Sequence, residues 1–289
     1  MSAGLALRRG GSELTLLPHL GGAIGGFIVG GRTVLRPTPQ DATSPLDTAC
    51  FPLVPYANRI AGGRFVFAGG EHSLPANFPG FENPLHGLGW LRPWNVAEHE
   101  EATATLTFMH RADVDWPWDW SAVQRFELTN DGLRITIELV NASPQAMPGG
   151  IGLHPYFVRD AGDELSFGAA GVWANDAAMI PVRTMSADAF GDFAQGSAPA
   201  AETLIDNCYF GWDGQGKWGA GSGKVTLRGE GADFLHIFAP PGEDFICIEP
   251  TTHMPDALNQ GDFLGVGGKI LTPGDAMRMS LTIKVGQAD

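Results

Sequence analysis

The sequence predicts an all-β sandwich, and three observations carry that prediction. Period-2 alternation of apolar and polar residues recurs along the chain, helical periodicity is nearly absent, and turn-forming residues separate the alternating runs. The punctuation comes from 40 Gly and 21 Pro in 289 residues, with no collagen-like period. A hydrophobic content of 44% over this length suits one large all-β domain or two small ones. No linker, internal repeat or low-complexity segment divides the chain, so it is read as one domain over 1–289.

Taken in order, the first notable segment is Gly21-Gly22-Ala23-Ile24-Gly25-Gly26. It lacks GxGxxG spacing and no helical pattern follows, so it reads as a bend between strands rather than a dinucleotide site. Thr103–Met109 alternates as a strand. Gln124–Leu128 and Leu133–Val140 flank Asn130-Asp131-Gly132, a hairpin turn signal. Met185–Phe190 reads as the one helical turn, with Ser186 as its N-cap. Ala194–Ala201 reads as a surface loop. Lys224–Arg228, Phe234–Phe238, Phe245–Glu249 and Met277–Val285 complete the strand series.

Composition narrows the function classes. A formal charge of −14 argues against nucleic acid and anionic membrane as partners. The three cysteines are odd in number and far apart, with no CxxC pair, so neither a zinc ribbon nor a disulfide framework is indicated. The Arg8-Arg9 pair is followed by no apolar signal core, and no stretch reaches the roughly 18 apolar residues of a membrane span. The expectation is a cytoplasmic protein.

Chemistry-bearing residues appear in unusual company. Glu249 ends an apolar run before Pro250, and His154 lies in the apolar segment Leu153-His154-Pro155-Tyr156-Phe157. A charge in such a setting is costly unless it is paired. The sequence reading places His154 in a sharply turned segment with an extended backbone ahead of Pro155. It places Glu249 at a rim, where Pro250 stops the ladder and partial desolvation raises the carboxyl pKa; the alternative is a loop-capping Glu. His86, between Leu85 and Gly87, reads as a turn residue. Arg59, after Asn58, forks onto sugar hydroxyls or a carboxylate, or pairs with one of the chain's many acids. Asp206 accepts from vicinal hydroxyls or closes an Asx turn. Tyr156 and Phe157 offer an aromatic wall, and Trp116, Trp118 and Trp120 belong either to the core or to a pocket wall. No HxH, H-E-x-x-H or G-x-S-x-G pattern occurs, so no metal ligand set and no serine nucleophile is indicated.

The ordered set Asn58-Arg59-Ile60-Ala61-Gly62-Gly63, Leu85-His86-Gly87, Gly152–Phe157, Asp206-Asn207 and Ile248-Glu249-Pro250 resembles the aldose 1-epimerase (galactose mutarotase) family over nearly the whole chain. The resemblance implies a large β-supersandwich with a sugar groove on one sheet and no cofactor. It implies Glu249 as general base, His154 as general acid and His86 as a group that binds and polarises the ring oxygen. It implies sugar contacts at Arg59 and Asp206, with Asn58 beside Arg59; Tyr156 is a further substrate-binding candidate through its aromatic ring. Its implied activity is interconversion of the α and β anomers of a free aldose, by a monomer or homodimer. Two alternatives stay open: a sugar-acid or lactone isomerase or lyase on the same scaffold, and a non-catalytic carbohydrate-binding module. For an anionic sugar, Arg64 is the one cation near Arg59 in sequence. The segment Phe238–Gly242 lacks the Gln of galactose-preferring members, and Cys247-Ile248-Glu249-Pro250 resembles a less characterised bacterial branch.

Overall fold

A computed structural model describes residues 4–286. Its strands, in chain order, begin with β1 (Leu5–Arg9), β2 (Ser12–Leu17), β3 (Ala23–Val29), β4 (Arg32–Leu35), β5 (Cys50–Leu53), β6 (Arg64–Phe67), β7 (Gly70–Ser73) and β8 (Asn95–His99). There follow β9 (Thr103–His110), β10 (Trp120–Leu128), β11 (Gly132–Asn141), β12 (Met147–Gly149), β13 (Gly152–Val158), β14 (Glu164–Phe167), β15 (Gly171–Asn175) and β16 (Pro181–Met185). The last are β17 (Ile205–Phe210), β18 (Gln215–Gly219), β19 (Val225–Glu230), β20 (Phe234–Ala239), β21 (Phe245–Thr251), β22 (Lys269–Leu271) and β23 (Ala276–Val285).

Two large antiparallel sheets dominate. One runs β1-β2-β3-β4-β13-β21-β20-β17-β15-β16, with β5 joined to β13 and β3; the other runs β14-β18-β19-β23-β11-β10-β9-β8. The second sheet carries its apolar core on one face. In β11, Leu133, Ile135, Ile137 and Leu139 are fully buried, as period-2 alternation requires. They share a core with Phe27, Leu153, Phe157, Ile246, Ile248, Leu235 and Ile237 of the first sheet. Trp116, Trp118 and Trp120 join this core, which settles their two readings in favour of packing.

The middle of the first sheet is buried on both faces, and this makes the site. Along β13, Leu153 and Phe157 enter the inter-sheet core, whereas His154 and Tyr156 point to the opposite face. Phe157 therefore forms no wall with Tyr156. Along β21, Ile246 and Ile248 enter the core, and Cys247 and Glu249 face away with Tyr156. A second apolar cluster, containing Phe51, Leu53, Ala57, Leu85, Trp90, Tyr156 and Cys247, covers that outer face.

Two local expectations are corrected. His154 lies inside a strand rather than in a sharp turn, because β5 pairs β13 from Gly152 to Pro155. Pro250 does not end its strand: β21 continues to Thr251, held by Leu235↔Pro250 and Phe234↔Thr251. The β13–β21 ladder is interrupted between Gly152↔Thr251 and Tyr156↔Cys247, the stretch where Pro155 and Pro250 have no N–H to donate. The segment Ser186–Phe190 forms turns rather than a helical turn, with Ala189 N–H bonded to Ser186 C=O at 3.1 Å. Gly21 and Gly22 do form a bend, but Gly25 and Gly26 belong to β3. Among the described residues no helix is long and apolar enough to cross a membrane.

Candidate active site

Register brings the predicted residues together. Glu249 pairs with His236 of β20, and the register on its other side sets it opposite His154 of β13. Phe51 pairs with His154, and Cys208 with His236. Phe51, His154, Glu249, His236 and Cys208 thus form one cross-strand row on one face of the sheet. Asp206 and Tyr156 lie on the same face in the adjoining row. Above them lies a cavity of about 290 Å³ whose lining includes Asn58, Arg59, His86, His154, Asp206 and Glu249. That volume suits a small molecule.

Glu249 is the most constrained group. It is 2% exposed, so it sits within the sheet and not at a rim. Burial pushes its pKa well above the usual carboxylate value, the nearby Asp206 charge adds to the rise, and Arg59 opposes it. One carboxylate oxygen lies 3.3 Å from His154 Nε2, and the other has no protein partner. Burial lowers the His154 pKa to about 3, with the His236 charge adding to the fall. His154 stacks on Phe51 at 4.5 Å and on Tyr156 at 4.7 Å, which fixes its plane. Its Nδ1 has no protein partner, and neither does His236 Nδ1. Buried polar atoms without partners are rare, and these three belong to residues that line one cavity.

His86 and Asn58 hold each other. Both adopt left-handed backbone conformations, with φ of 57° and 58°. His86 N–H donates to Asn58 C=O at 2.9 Å, and Asn58 N–H donates to His86 Nδ1 at 3.0 Å. Since Nδ1 accepts, a neutral His86 carries its proton on Nε2 and is a hydrogen-bond donor there. Burial, then the charges of His154 and Arg59, holds its pKa well below the usual imidazole value. The loop is clamped by Asn77, which bonds the backbone of Leu85 twice and Gly87 once, each at 2.8 Å. His253 Nε2 accepts from Ala57 N–H at 3.1 Å, and Asp256 accepts from Ala61 N–H at 2.8 Å.

Gly87 follows His86 with φ of +69°, and a Cβ there would stand 2.3 Å from the Val54 carbonyl oxygen. Gly87→Ala is therefore expected to destabilise the protein by at least ~1–3 kcal/mol and to displace His86. Thermal unfolding checks the first effect and sugar binding the second; an unchanged melting temperature would contradict both.

Asp206 resolves its two readings. It is a strand residue, not an Asx turn, and accepts from His236 Nε2 at 2.6 Å. Its other oxygen lies 3.8 Å from Arg59, so Arg59 is paired with another site residue. Burial would raise the Asp206 pKa, but the His236 hydrogen bond and the charges of His236 and Arg59 hold it below the ordinary value. Asn58 Oδ1 accepts from Arg59 Nη1 at 3.1 Å and so orients the guanidinium. Tyr156 lines the cavity but is 4% exposed, with its ring flanked by His154 and by the Arg36 guanidinium. It offers no broad face for a sugar to stack on.

His236 and Arg36 are site residues that sequence reasoning missed. His236 interrupts the apolar run Phe234–Phe238 just as Glu249 interrupts its own, a signal open to the same argument. Arg36 carries no such mark. Arg64, the cation favoured by proximity in sequence, is exposed on the β6–β7 hairpin and does not line the cavity.

Among the described residues, one group of potential metal ligands comes together: atoms of His154, Cys247 and Glu249 lie within 4.8 Å of one another. Burial, reinforced by the Glu249 charge, pushes the Cys247 thiol well above its usual pKa. His154 and Glu249 already face each other at 3.3 Å, so the set reads as an acid–base pair beside a buried cysteine.

Known proteins share this architecture. The structure aligns with a crystal structure from Escherichia coli K12, provisionally assigned as an aldose 1-epimerase, at a TM-score of 0.91 and 29% identity over 99% of both chains. A galactose mutarotase-like protein from Clostridium acetobutylicum aligns at a TM-score of 0.85 and 20% identity, covering 98% of this chain and 95% of that one. The fold class is therefore the galactose mutarotase-like β-sandwich. In sequence, the chain is 30% identical over 287 residues to the uncharacterised protein YphB of Escherichia coli K12, spanning 92% of this chain and 93% of that protein. The family model for aldose 1-epimerase matches residues 5–284, and the chain belongs to that family.

Proposed function

We propose that this protein is a cofactor-independent mutarotase that interconverts the α and β anomers of a free aldose. The observation that carries the reading is the buried Glu249–His154 pair, 3.3 Å apart, in the lining of a cavity of small-molecule size. Mutarotation needs a proton taken from the anomeric hydroxyl and a proton given to the ring oxygen. Both oxygens sit on one carbon, so base and acid must face each other across a short gap. Glu249 is the base and His154 the acid at ring opening, acting from the form of the pair in which the shared proton sits on His154, and they exchange roles at reclosure from the other face. His86 Nε2–H steadies the ring oxygen without carrying charge. Asp206 and Arg59 take the remaining hydroxyls, and Asn58 holds Arg59 in place. The setting is proposed to be the cytoplasm; three free, buried cysteines fit a reducing compartment.

The pair needs one proton between its two members throughout the cycle. Burial raises the Glu249 pKa and lowers that of His154 to about 3. The one-proton state therefore begins below the usual imidazole range and persists above the usual carboxylate range. The expected kcat/KM profile is flat between about pH 4.5 and 6.5, the reference values of the two side chains, and falls on the alkaline side as the shared proton is lost. NMR measurement of anomer exchange in glucose, galactose, xylose, arabinose, fucose and rhamnose, corrected for the buffer rate, tests this. A rate rising steadily from pH 4.5 to 6.5 would show independent titration instead, and no acceleration with any aldose would remove the mutarotase reading.

A further inference from the structure

The cavity has two cationic side chains, and only one has a carboxylate partner among the described residues. Arg59 faces Asp206 at 3.8 Å. Arg36, immediately after β4, lies at the other end of the cavity against β13, where its N–H bonds the Tyr156 carbonyl. Its guanidinium lies 3.4 Å from the Tyr156 ring centroid and 4.7 Å from that of Phe245. Nε donates to the Thr48 carbonyl at 3.1 Å, and Nη2 donates to the Leu46 carbonyl. These contacts fix the plane, while Nη1 has no protein acceptor among the described residues. A half-buried, immobilised guanidinium with no counter-ion, in a chain carrying 32 acids, is a prepared anion-binding group.

Position decides which part of a ligand it meets. From β13 to β17 the sheet crosses three strand spacings, about 14 Å between backbones. Asp206 and Arg59 stand at the far end, Glu249 and His154 between, and Arg36 beyond Tyr156. A sugar with its anomeric carbon over Glu249 and hydroxyls on Asp206 has room toward Arg36 for one substituent. The flanking Leu46, Phe81, Phe238 and Phe245 add no further donor there. One free guanidinium nitrogen suits a compact carboxylate attached directly to the ring, whereas a phosphate dianion calls for several donors.

We propose that the substrate class is an aldose bearing a carboxylate on the carbon remote from the anomeric centre, a hexuronate, with Arg36 as its specificity-determining residue. This rests on the mutarotase reading of the same site. The test compares anomer exchange of glucuronate and galacturonate with that of glucose, galactose, the two uronamides and glucose 6-phosphate. In the wild type, kcat/KM for each uronate is expected to exceed that of its amide and parent hexose by roughly 10–100-fold. In Arg36→Gln that ratio is expected to collapse towards one, and in Arg36→Lys to survive in part. Uronates turned over no faster than their amides, a ratio that survives Arg36→Gln, or a preference for the 6-phosphate would each overturn the proposal. The amide comparison needs no variant, so misfolding of Arg36→Gln leaves it decisive. If no sugar is exchanged at all, the mutarotase reading falls by itself. Saturation-transfer NMR with glucuronate then decides the recognition claim: binding that Arg36→Gln abolishes supports it, and absent or unchanged binding overturns it.

Discussion

Glu249→Gln is expected to lower the catalysed anomer-exchange rate by roughly 10²–10⁴-fold, the contribution of one positioned acid–base group, while making the folded protein more stable at neutral pH. The two effects have one cause. The wild-type carboxyl is 2% exposed, one of its oxygens has no partner, and burial pushes its pKa well above 4.5. A folded state that binds the proton more tightly than the unfolded state loses stability as pH rises. The loss begins near the ordinary carboxylate pKa and is complete above the folded one. Glutamine keeps the shape and carries no charge at any pH, so the variant should melt with the wild type below about pH 4.5 and above it at pH 8. Each kcal/mol of that difference corresponds to ~2–4 °C in a protein of this size class. Calorimetry at the two pH values checks it; a variant that melts lower at pH 8 would mean that Glu249 is a structural residue.

His154→Gln is expected to lose activity to a similar extent, roughly 10²–10⁴-fold, with the opposite effect on stability. The imidazole is held between Phe51 and Tyr156, and burial disfavours its charged form, so its removal forfeits stacking with little relief of buried charge. A loss of ~0.5–1.5 kcal/mol per aromatic contact sets the scale. Because the pair works on one proton, the double variant Glu249→Gln/His154→Gln should be no slower than the worse single variant. Multiplying penalties would instead assign the two residues to independent steps.

Much of this site was legible in the chain because β-structure separates neighbours by face. A charged or titratable residue in an apolar run stands out, and Glu249, His154 and His236 all do so. Proline obscures the depth of the first. Pro250 was read as the end of a strand, yet β20 holds β21 in place across the stretch where the β13 ladder is interrupted, and Glu249 moves from a rim to the sheet interior. Arg36 was beyond reach for a different reason. Its role depends on β4 ending beside Tyr156 and on the carbonyls of Leu46 and Thr48 turning toward it. Proximity in sequence pointed to Arg64, which the hairpin carries to the surface. Tyr156 shows the same limit: its presence in the cavity followed from the motif, but its coverage by Arg36 did not.

The most direct test of the account is two-dimensional exchange NMR on the anomeric protons of one accepted aldose, with wild type and Glu249→Gln at equal concentration. The account predicts α–β cross-peaks that build up rapidly with the wild type and at the buffer rate with the variant, with sugar binding retained in both. Equal cross-peak build-up in the two samples would contradict it.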